Sequence, residues 1–211
     1  MIKHRRHGDL LPNSIRAAIV GASNCGKTNL MINLVINPNG LYFQNLYIYS
    51  KSLNQKKYRY LTKIMSKLQK TDNIGYYTFS NNADVVPLNE ARKNSIFIFD
   101  DIACCNQNIV REYFSMGRHR NIDCFYLCQT DSTIGKQLIR DNINFLIIFK
   151  QDLTNLKHIY QDHVNSDMSF EKFRELCHKC WEQRFGFVVI DKERKLTEGR
   201  YKRGFDELIL I

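Results

Sequence analysis

Residues 15–28 read Ile15-Arg16-Ala17-Ala18-Ile19-Val20-Gly21-Ala22-Ser23-Asn24-Cys25-Gly26-Lys27-Thr28. The apolar run to Val20 predicts a buried strand, and an apolar stripe at helical spacing follows from Lys27 to Ile36. The residues between them fit the pattern G-x-x-x-x-G-K-[ST], which requires this strand and helix context. Such a loop points backbone N–H groups and a helix N-terminus at one phosphate cluster. The segment therefore predicts a site for ATP and Mg²⁺, in which Lys27 reaches the β- and γ-phosphates and the Thr28 hydroxyl ligates the metal.

The rest of the chain alternates short apolar runs with helix-length periodic segments, which is typical of an α/β fold. We predict three layers, with a mostly parallel central sheet between helices. The further strands are predicted at 46–49, 74–79, 96–99, 122–128 and 145–149, and the helices between them at 58–68, 109–114 and 134–140. Two helices, at 153–162 and 170–181, and a strand at 185–190 form a small C-terminal extension. The predicted divisions are a basic N-terminal arm (1–13), an ATPase core (14–150), and a C-terminal part (151–211) of helices, strand and basic hairpin or tail packed on the core.

Two acids follow the apolar run 96–99 directly. They are Asp100 and Asp101. A carboxylate at the carboxyl end of a parallel strand faces the nucleotide crevice, so we expect Asp100 to hold Mg²⁺ through water. Asp101 would orient or deprotonate the attacking water. Gln129 ends another predicted strand and is expected to contact the γ-phosphate or hold the water.

An arginine pair precedes that strand, in the segment Gly117-Arg118-His119-Arg120-Asn121. Either Arg118 or Arg120 could act as an arginine finger that neutralises transition-state charge at a neighbouring subunit's nucleotide. A surface arginine cluster with no ligand is the competing interpretation.

The composition is that of a globular, basic protein. The 211 residues carry 31 Lys+Arg against 21 Asp+Glu, a net charge of +10, and 44% are hydrophobic, which excludes a disordered or fibrous chain. No apolar run approaches the roughly 18–20 residues of a membrane span, and no secretory signal is evident, so we expect the seven cysteines to be thiols in a reducing compartment. The charge favours an acidic partner such as nucleic acid. The candidate DNA contacts, also explicable as solvated tail residues, are Lys192, Arg194, Lys195, Arg200, Lys202 and Arg203.

Taken in order, these motifs resemble the genome-packaging ATPases of poxviruses, other large DNA viruses, virophages and polinton-like elements, a family in the FtsK–HerA branch of P-loop motors. The resemblance covers residues 15 to about 150. It is carried by the phosphate loop, by Phe99-Asp100-Asp101, by the arginine segment and by Gln129. The segment Lys136-Gln137-Leu138-Ile139-Arg140-Asp141-Asn142 completes it.

The resemblance implies a P-loop fold of the RecA/ASCE type and a Mg-dependent ATPase that translocates double-stranded viral DNA into a preformed capsid. It also implies a homo-oligomer, a pentameric or hexameric ring, that contacts a capsid protein or packaging vertex. The expected location is the host-cell cytoplasm (virus factory) or the nucleus, with association to the virion as a further alternative, and not outside the cell.

Two other functions remain open on the sequence. One is a small P-loop kinase, which would transfer the γ-phosphoryl group to an acceptor other than water. The other is a non-motor DNA-binding protein that ATP switches between states. Phosphate release that rises with duplex DNA would favour the motor over both.

Overall fold

The computed structural model describes residues 6–81, 85–100, 107–131 and 139–211. The described residues form a sheet of nine strands in the order β3-β2-β4-β5-β1-β6-β7-β8-β9. The strands are β1 (Arg16–Val20), β2 (Asn45–Ser50), β3 (Gly75–Phe79), β4 (Ser95–Asp100), β5 (Ile122–Cys128), β6 (Phe145–Phe149), β7 (Phe187–Asp191), β8 (Tyr201–Arg203) and β9 (Glu207–Ile209). The helices are α1 (Lys27–Ile36), α2 (Lys56–Thr71), α3 (Gln107–Met116), α4 (Leu153–His163) and α5 (Phe170–Cys180).

The first six strands are parallel, and β1 lies between β5 and β6. Helices cover both faces of this sheet, which is why its strands are continuous apolar runs rather than alternating ones. One apolar cluster joins one face of the sheet to α1 and α2, and the other joins the opposite face to α3, α4 and α5. The α/β fold with three layers is confirmed.

Helix α2 shows how the sequence sets these layers. Tyr58, Leu61 and Met65 are its buried side chains, at spacings of three and four residues, and lysines occupy much of the outer surface. Helix α5 has the same arrangement: Phe173, Leu176 and Cys177 are buried and belong to an apolar cluster that includes strand residues of the sheet.

The C-terminal part extends the central sheet in addition to packing on it. Strand β7 pairs antiparallel with β6, with Phe187 opposite Phe149, and β8 and β9 continue antiparallel beyond it. Most of the expected helix at 134–140 lies outside the described residues; at its end, Arg140–Asn142 form a single 3₁₀ turn. Among the helices of the described segments, none combines the length and hydrophobicity that a membrane crossing needs.

Candidate nucleotide site

The phosphate loop connects β1 to α1 at the carboxyl edge of the sheet. Gly26 adopts φ 116° immediately before the helix begins at Lys27, a left-handed conformation that favours glycine. Helix α1 has no side-chain cap on its first N–H groups and no acidic residue in its first turn. An uncapped, partly exposed helix N-terminus behind a turning loop is suited to bind an anion.

The start of the loop is packed against strand β6. A Cβ placed on Gly21 would lie 2.7 Å from Phe149 Cβ and 2.5 Å from Cys25 Sγ, so only glycine fits there without a shift. The Gly21 N–H donates to the carbonyl of Cys128 at 3.1 Å, which fixes the loop to the end of β5. These contacts hold the loop between the two neighbours of β1.

Lys27 curls back across this loop. Its Nζ donates to the carbonyl oxygens of Gly21 at 2.5 Å and Ala22 at 3.0 Å. The positive charge of Lys27 therefore lies within the curve of the loop.

Asp100 is the last residue of β4 and is 8% exposed. Its Oδ2 accepts a short hydrogen bond from the Tyr58 hydroxyl of α2. Burial raises the pKa of Tyr58 well above its ordinary value, and the neighbouring Asp100 carboxylate raises it further, so the phenol stays protonated and donates. Tyr58 thus fixes the orientation of the carboxylate.

One cavity of about 110 Å³ brings the expected groups together. Lys27, Thr28, Asp100 and Gln129 all line it, at the carboxyl ends of β1, β4 and β5. Thr28 and Asp100 supply hydroxyl and carboxylate oxygens, the donors that Mg²⁺ prefers, so these residues fit the metal. Asp101 lies outside the described residues, and its role stays a prediction.

The same cavity has residues that the sequence analysis did not single out. Ser52, Gln55 and Lys57 line it from the segment between β2 and the first turn of α2. The sequence could have indicated these three residues, because they follow a predicted strand. Since β2 runs parallel to β4, the carboxyl end of β2 lies at the same edge of the sheet as Asp100. The partnership of Tyr58 with Asp100 had no such signal, since it depends on how α2 crosses the sheet.

The arginine pair lies at the opposite edge. Arg118 and Arg120 belong to a 3₁₀ turn, Gly117–Arg120, that precedes β5. Arg120 is half-buried, and its Nη2 donates to the carbonyl of Ala91 at 3.1 Å. Arg118 is exposed, and its guanidinium makes no hydrogen bond or ion pair with another described residue, while its backbone carbonyl accepts from the Asn121 N–H at 3.2 Å. The structure does not bring either arginine to the phosphate loop of its own chain.

Most of the candidate DNA contacts in the tail are engaged within the chain. Arg194, Lys195 and Arg200 pair with Asp191 (3.1 Å), Glu198 (3.1 Å) and Asp167 (2.7 Å), respectively. Arg203 approaches Glu182 and Glu207 at 3.9 and 4.0 Å, while Lys192 is half-buried, with its pKa lowered mainly by burial.

Lys202 is a correction to the expected set. It is fully buried in β8, and its Nζ donates to the carbonyl of Leu10 at 3.2 Å. Lys202 is therefore not accessible to DNA in this structure. The salt bridge of Lys195 joins two exposed side chains and is therefore weak, which leaves Lys195 the most accessible cation of the six.

A parallel sheet whose central strand ends in a Lys-Thr loop, with a buried carboxylate ending the strand two positions away, defines a P-loop nucleotide-binding protein. Within that class, the chain belongs to the poxvirus A32 protein family, whose model matches residues 2–178. The family expected from the motif order is confirmed. No curated protein matches the sequence.

Solved structures share the fold at low sequence identity. The genome packaging NTPase B204 of Sulfolobus turreted icosahedral virus 2, in complex with sulfate, matches with a TM-score of 0.61 and 11% identity, over 92% of this chain and 96% of B204. The complex of the same protein with AMP matches with a TM-score of 0.61 and 13% sequence identity, over 92% of this chain and 98% of B204. The DNA-packaging ATPase B204 of Sulfolobus turreted icosahedral virus matches with a TM-score of 0.58 and 15% sequence identity, over 86% of this chain and 94% of that protein.

Proposed function

We propose that this protein is an ATP-hydrolysing, oligomeric motor that translocates double-stranded viral DNA into a preformed capsid. One observation carries the proposal: Lys27, Thr28, Asp100 and Gln129 line one cavity at the carboxyl edge of the sheet. Family membership and a fold shared with proteins described as packaging ATPases support it.

The chain's own groups account for nucleotide binding. The N–H groups of residues 23–28 and the N-terminus of α1 would surround the β- and γ-phosphates. Lys27 would exchange the carbonyls of Gly21 and Ala22 for phosphate oxygens, moving little because it already lies within the loop. Exchanging carbonyls for charged oxygens strengthens its hydrogen bonds.

Thr28 and Asp100 would hold Mg²⁺, Thr28 directly and Asp100 through water. When bound, the metal neutralises charge on the β- and γ-phosphates. Tyr58 acts through Asp100, because its hydroxyl holds the carboxylate in one orientation. It is a positioning residue.

Hydrolysis needs a group that aligns water with the γ-phosphate. Asp101, which follows Asp100 in sequence, would accept a proton from that water. Gln129 is exposed at the end of β5 and would orient the water through its amide.

The arginine finger would come from a second copy of the chain. Because the arginine turn lies at the amino edge, it can contact a phosphate loop only across a subunit boundary. Arg118 suits this role better than Arg120, which is held by the carbonyl of Ala91. A pentameric or hexameric ring would repeat that contact at each boundary and enclose DNA, whose phosphates the basic chain would neutralise.

The test is ATPase activity with and without duplex DNA, together with the mass of the assembly in solution. We expect Mg-dependent phosphate release that rises with duplex DNA, from an assembly of several chains. Lys27→Ala is the matched inactive control. ATP-dependent phosphorylation of a nucleotide acceptor, without phosphate release, would overturn the motor in favour of a kinase. DNA binding that ATP changes without turnover would favour a ligand switch.

A further inference from the structure

Phe185 is a bulky residue in an unfavourable backbone conformation. Its φ is 66°, in the left-handed region. The other non-glycine residues with positive φ in the described part of the chain are all asparagines, which tolerate that region, whereas a bulky side chain rarely adopts it. Strained backbone of this kind is concentrated at functional sites.

The Phe185 ring is also unusually exposed. It is 52% exposed and belongs to neither apolar cluster of the core. The Arg184 guanidinium lies 4.8 Å from its centroid. Burial in the core therefore does not explain why the backbone is strained to place a phenyl ring here.

The ring lies beside the phosphate loop. Its Cδ1 is 3.5 Å, and Phe149 Cε1 is 3.4 Å, from the position a Cβ on Gly26 would occupy. Gly26 immediately precedes Lys27, so the ring adjoins the residues that would bind phosphate.

Phe185 lies on the side of the loop away from the hydrolytic groups. Asp100 and Gln129 end β4 and β5, on one side of β1, whereas Phe185 precedes β7, beyond β6 on the other side. A nucleoside triphosphate with its γ-phosphate at Asp100 and Gln129 would direct its base towards β6 and β7.

We propose that Phe185, backed by Arg184, is the stacking platform for the base of the bound nucleotide. The inference rests on the proposed nucleotide binding and adds the recognition of the base. One face of the ring carries the guanidinium and the base would take the other, a pairing of aromatic ring, base and cation that is favourable for nucleobases. A ring face distinguishes a nucleotide from a bare phosphate chain and is tolerant of which base it carries.

The test separates the base from the phosphates. Calorimetry on the full chain would measure the affinity for a nonhydrolysable ATP analogue and, separately, for inorganic tripolyphosphate, each with Mg²⁺. We expect Phe185→Ala to lower the affinity for the ATP analogue by about tenfold or more and to leave the affinity for tripolyphosphate unchanged. Phe185→Tyr keeps the ring and should bind both ligands as the wild type does.

Two controls exclude indirect effects. Phe185→Gly removes the ring and suits the left-handed backbone, so it should lose the same affinity as Phe185→Ala while relieving the strain. Tyr42→Ala removes an aromatic residue of similar exposure, 54%, just before β2 at the amino edge, and should change neither affinity.

The outcomes distinguish this inference from the proposed function. If the wild type binds both ligands and Phe185→Ala binds them equally well, the stacking platform alone is overturned. The inference would also be overturned if Phe185→Ala and Phe185→Gly each lost affinity equally for the ATP analogue and for tripolyphosphate. That result would show that the ring supports the phosphate loop instead of binding the base. A wild type that binds neither ligand would overturn the proposed nucleotide binding and this inference with it.

Discussion

At the carboxyl ends of the parallel strands, polar side chains line an open cavity. At the amino ends, several polar side chains are buried and hydrogen-bonded within the chain, among them Asn45, Ser95 and Asp123. Asp123 shows the second arrangement. It is fully buried near the start of β5, and it accepts from the Ile15 N–H at 2.7 Å and from His7 Nε2 at 2.9 Å, with Arg6 at 3.3 Å. Tyr42 N–H donates to the other ring nitrogen of His7 at 3.1 Å.

The comparison shows that a buried carboxylate does not by itself mark a site. Asp100 and Asp123 are both buried, yet Asp123 is surrounded by donors from its own chain while Asp100 borders a cavity that also holds Lys27. The amino edge closes the fold and the carboxyl edge leaves room for a ligand. Arg118 departs from the pattern, since it is exposed at the closed edge.

Arg118 gives the largest expected effect. If it acts on a neighbouring subunit's nucleotide, Arg118→Ala should lower ATP turnover by about 10³-fold, because a finger neutralises transition-state charge. Arg120→Ala is the matched control and should have a much smaller effect. Mixing Arg118→Ala chains with inactive Lys27→Ala chains should restore part of the ATPase activity. No recovery at any mixing ratio would argue against a shared site.

Asp123 should matter for stability rather than chemistry. Asp123→Ala leaves His7 and the Ile15 N–H without their acceptor, so urea denaturation should show a loss of about 3 kcal/mol in the free energy of unfolding. Asp206→Ala, which changes an exposed aspartate, is the control and should stay within about 0.5 kcal/mol. An unchanged urea midpoint for Asp123→Ala would contradict a structural role for the amino edge.

Replacing Tyr58 tests the carboxyl edge of the sheet, where its hydroxyl is bonded to Asp100. Tyr58→Phe removes the donor that orients Asp100, and we expect turnover to fall about tenfold while nucleotide binding without Mg²⁺ is unchanged. Tyr113→Phe is the matched control, because that hydroxyl is also buried but donates to the carbonyl of Val86 at 2.6 Å, away from the cavity. Equal losses of turnover in both variants would point to a general packing effect.

Cys25 gives the smallest expected effect. It is half-exposed within the phosphate loop, whereas the other described thiols are buried, and burial raises the pKa of Cys180 to about 11 and also raises those of Cys124 and Cys177. Iodoacetamide should therefore modify Cys25 ahead of these thiols, and bound ATP should slow that reaction several-fold, as peptide mass spectrometry would show. Inactivation by the reagent that persists unchanged in Cys25→Ser would assign the effect to another thiol.

Much of the fold followed from the sequence because buried parallel strands and amphipathic helices leave strong patterns. The limits of α1, β5 and β6 agree with those expected. Strands β8 and β9 were missed, since each has three residues and the hydrophobic alternation of such short segments is uninformative. The phosphate loop was evident because its chemistry demands a contiguous motif.

The remaining features depend on contacts between distant residues. The burial of Lys202 results from β8 pairing beside β7 and from the position of Leu10, and no local pattern encodes either. The ion pair of Arg200 with Asp167 also joins residues far apart in sequence, so no local pattern predicts it. Local charge marks the tail as basic, but tertiary structure decides whether each cation in it is accessible to DNA.

The central position of β1 also has a consequence for synthesis on the ribosome. The partners of β1 are translated more than 100 residues after β1 and the phosphate loop, with Arg16 opposite Cys124 and Ala17 opposite Phe145. Until those strands emerge, an apolar segment has no neighbours to pair with and is open to aggregation. The phosphate loop is thus translated well before the strands that flank β1 and hold the loop in place.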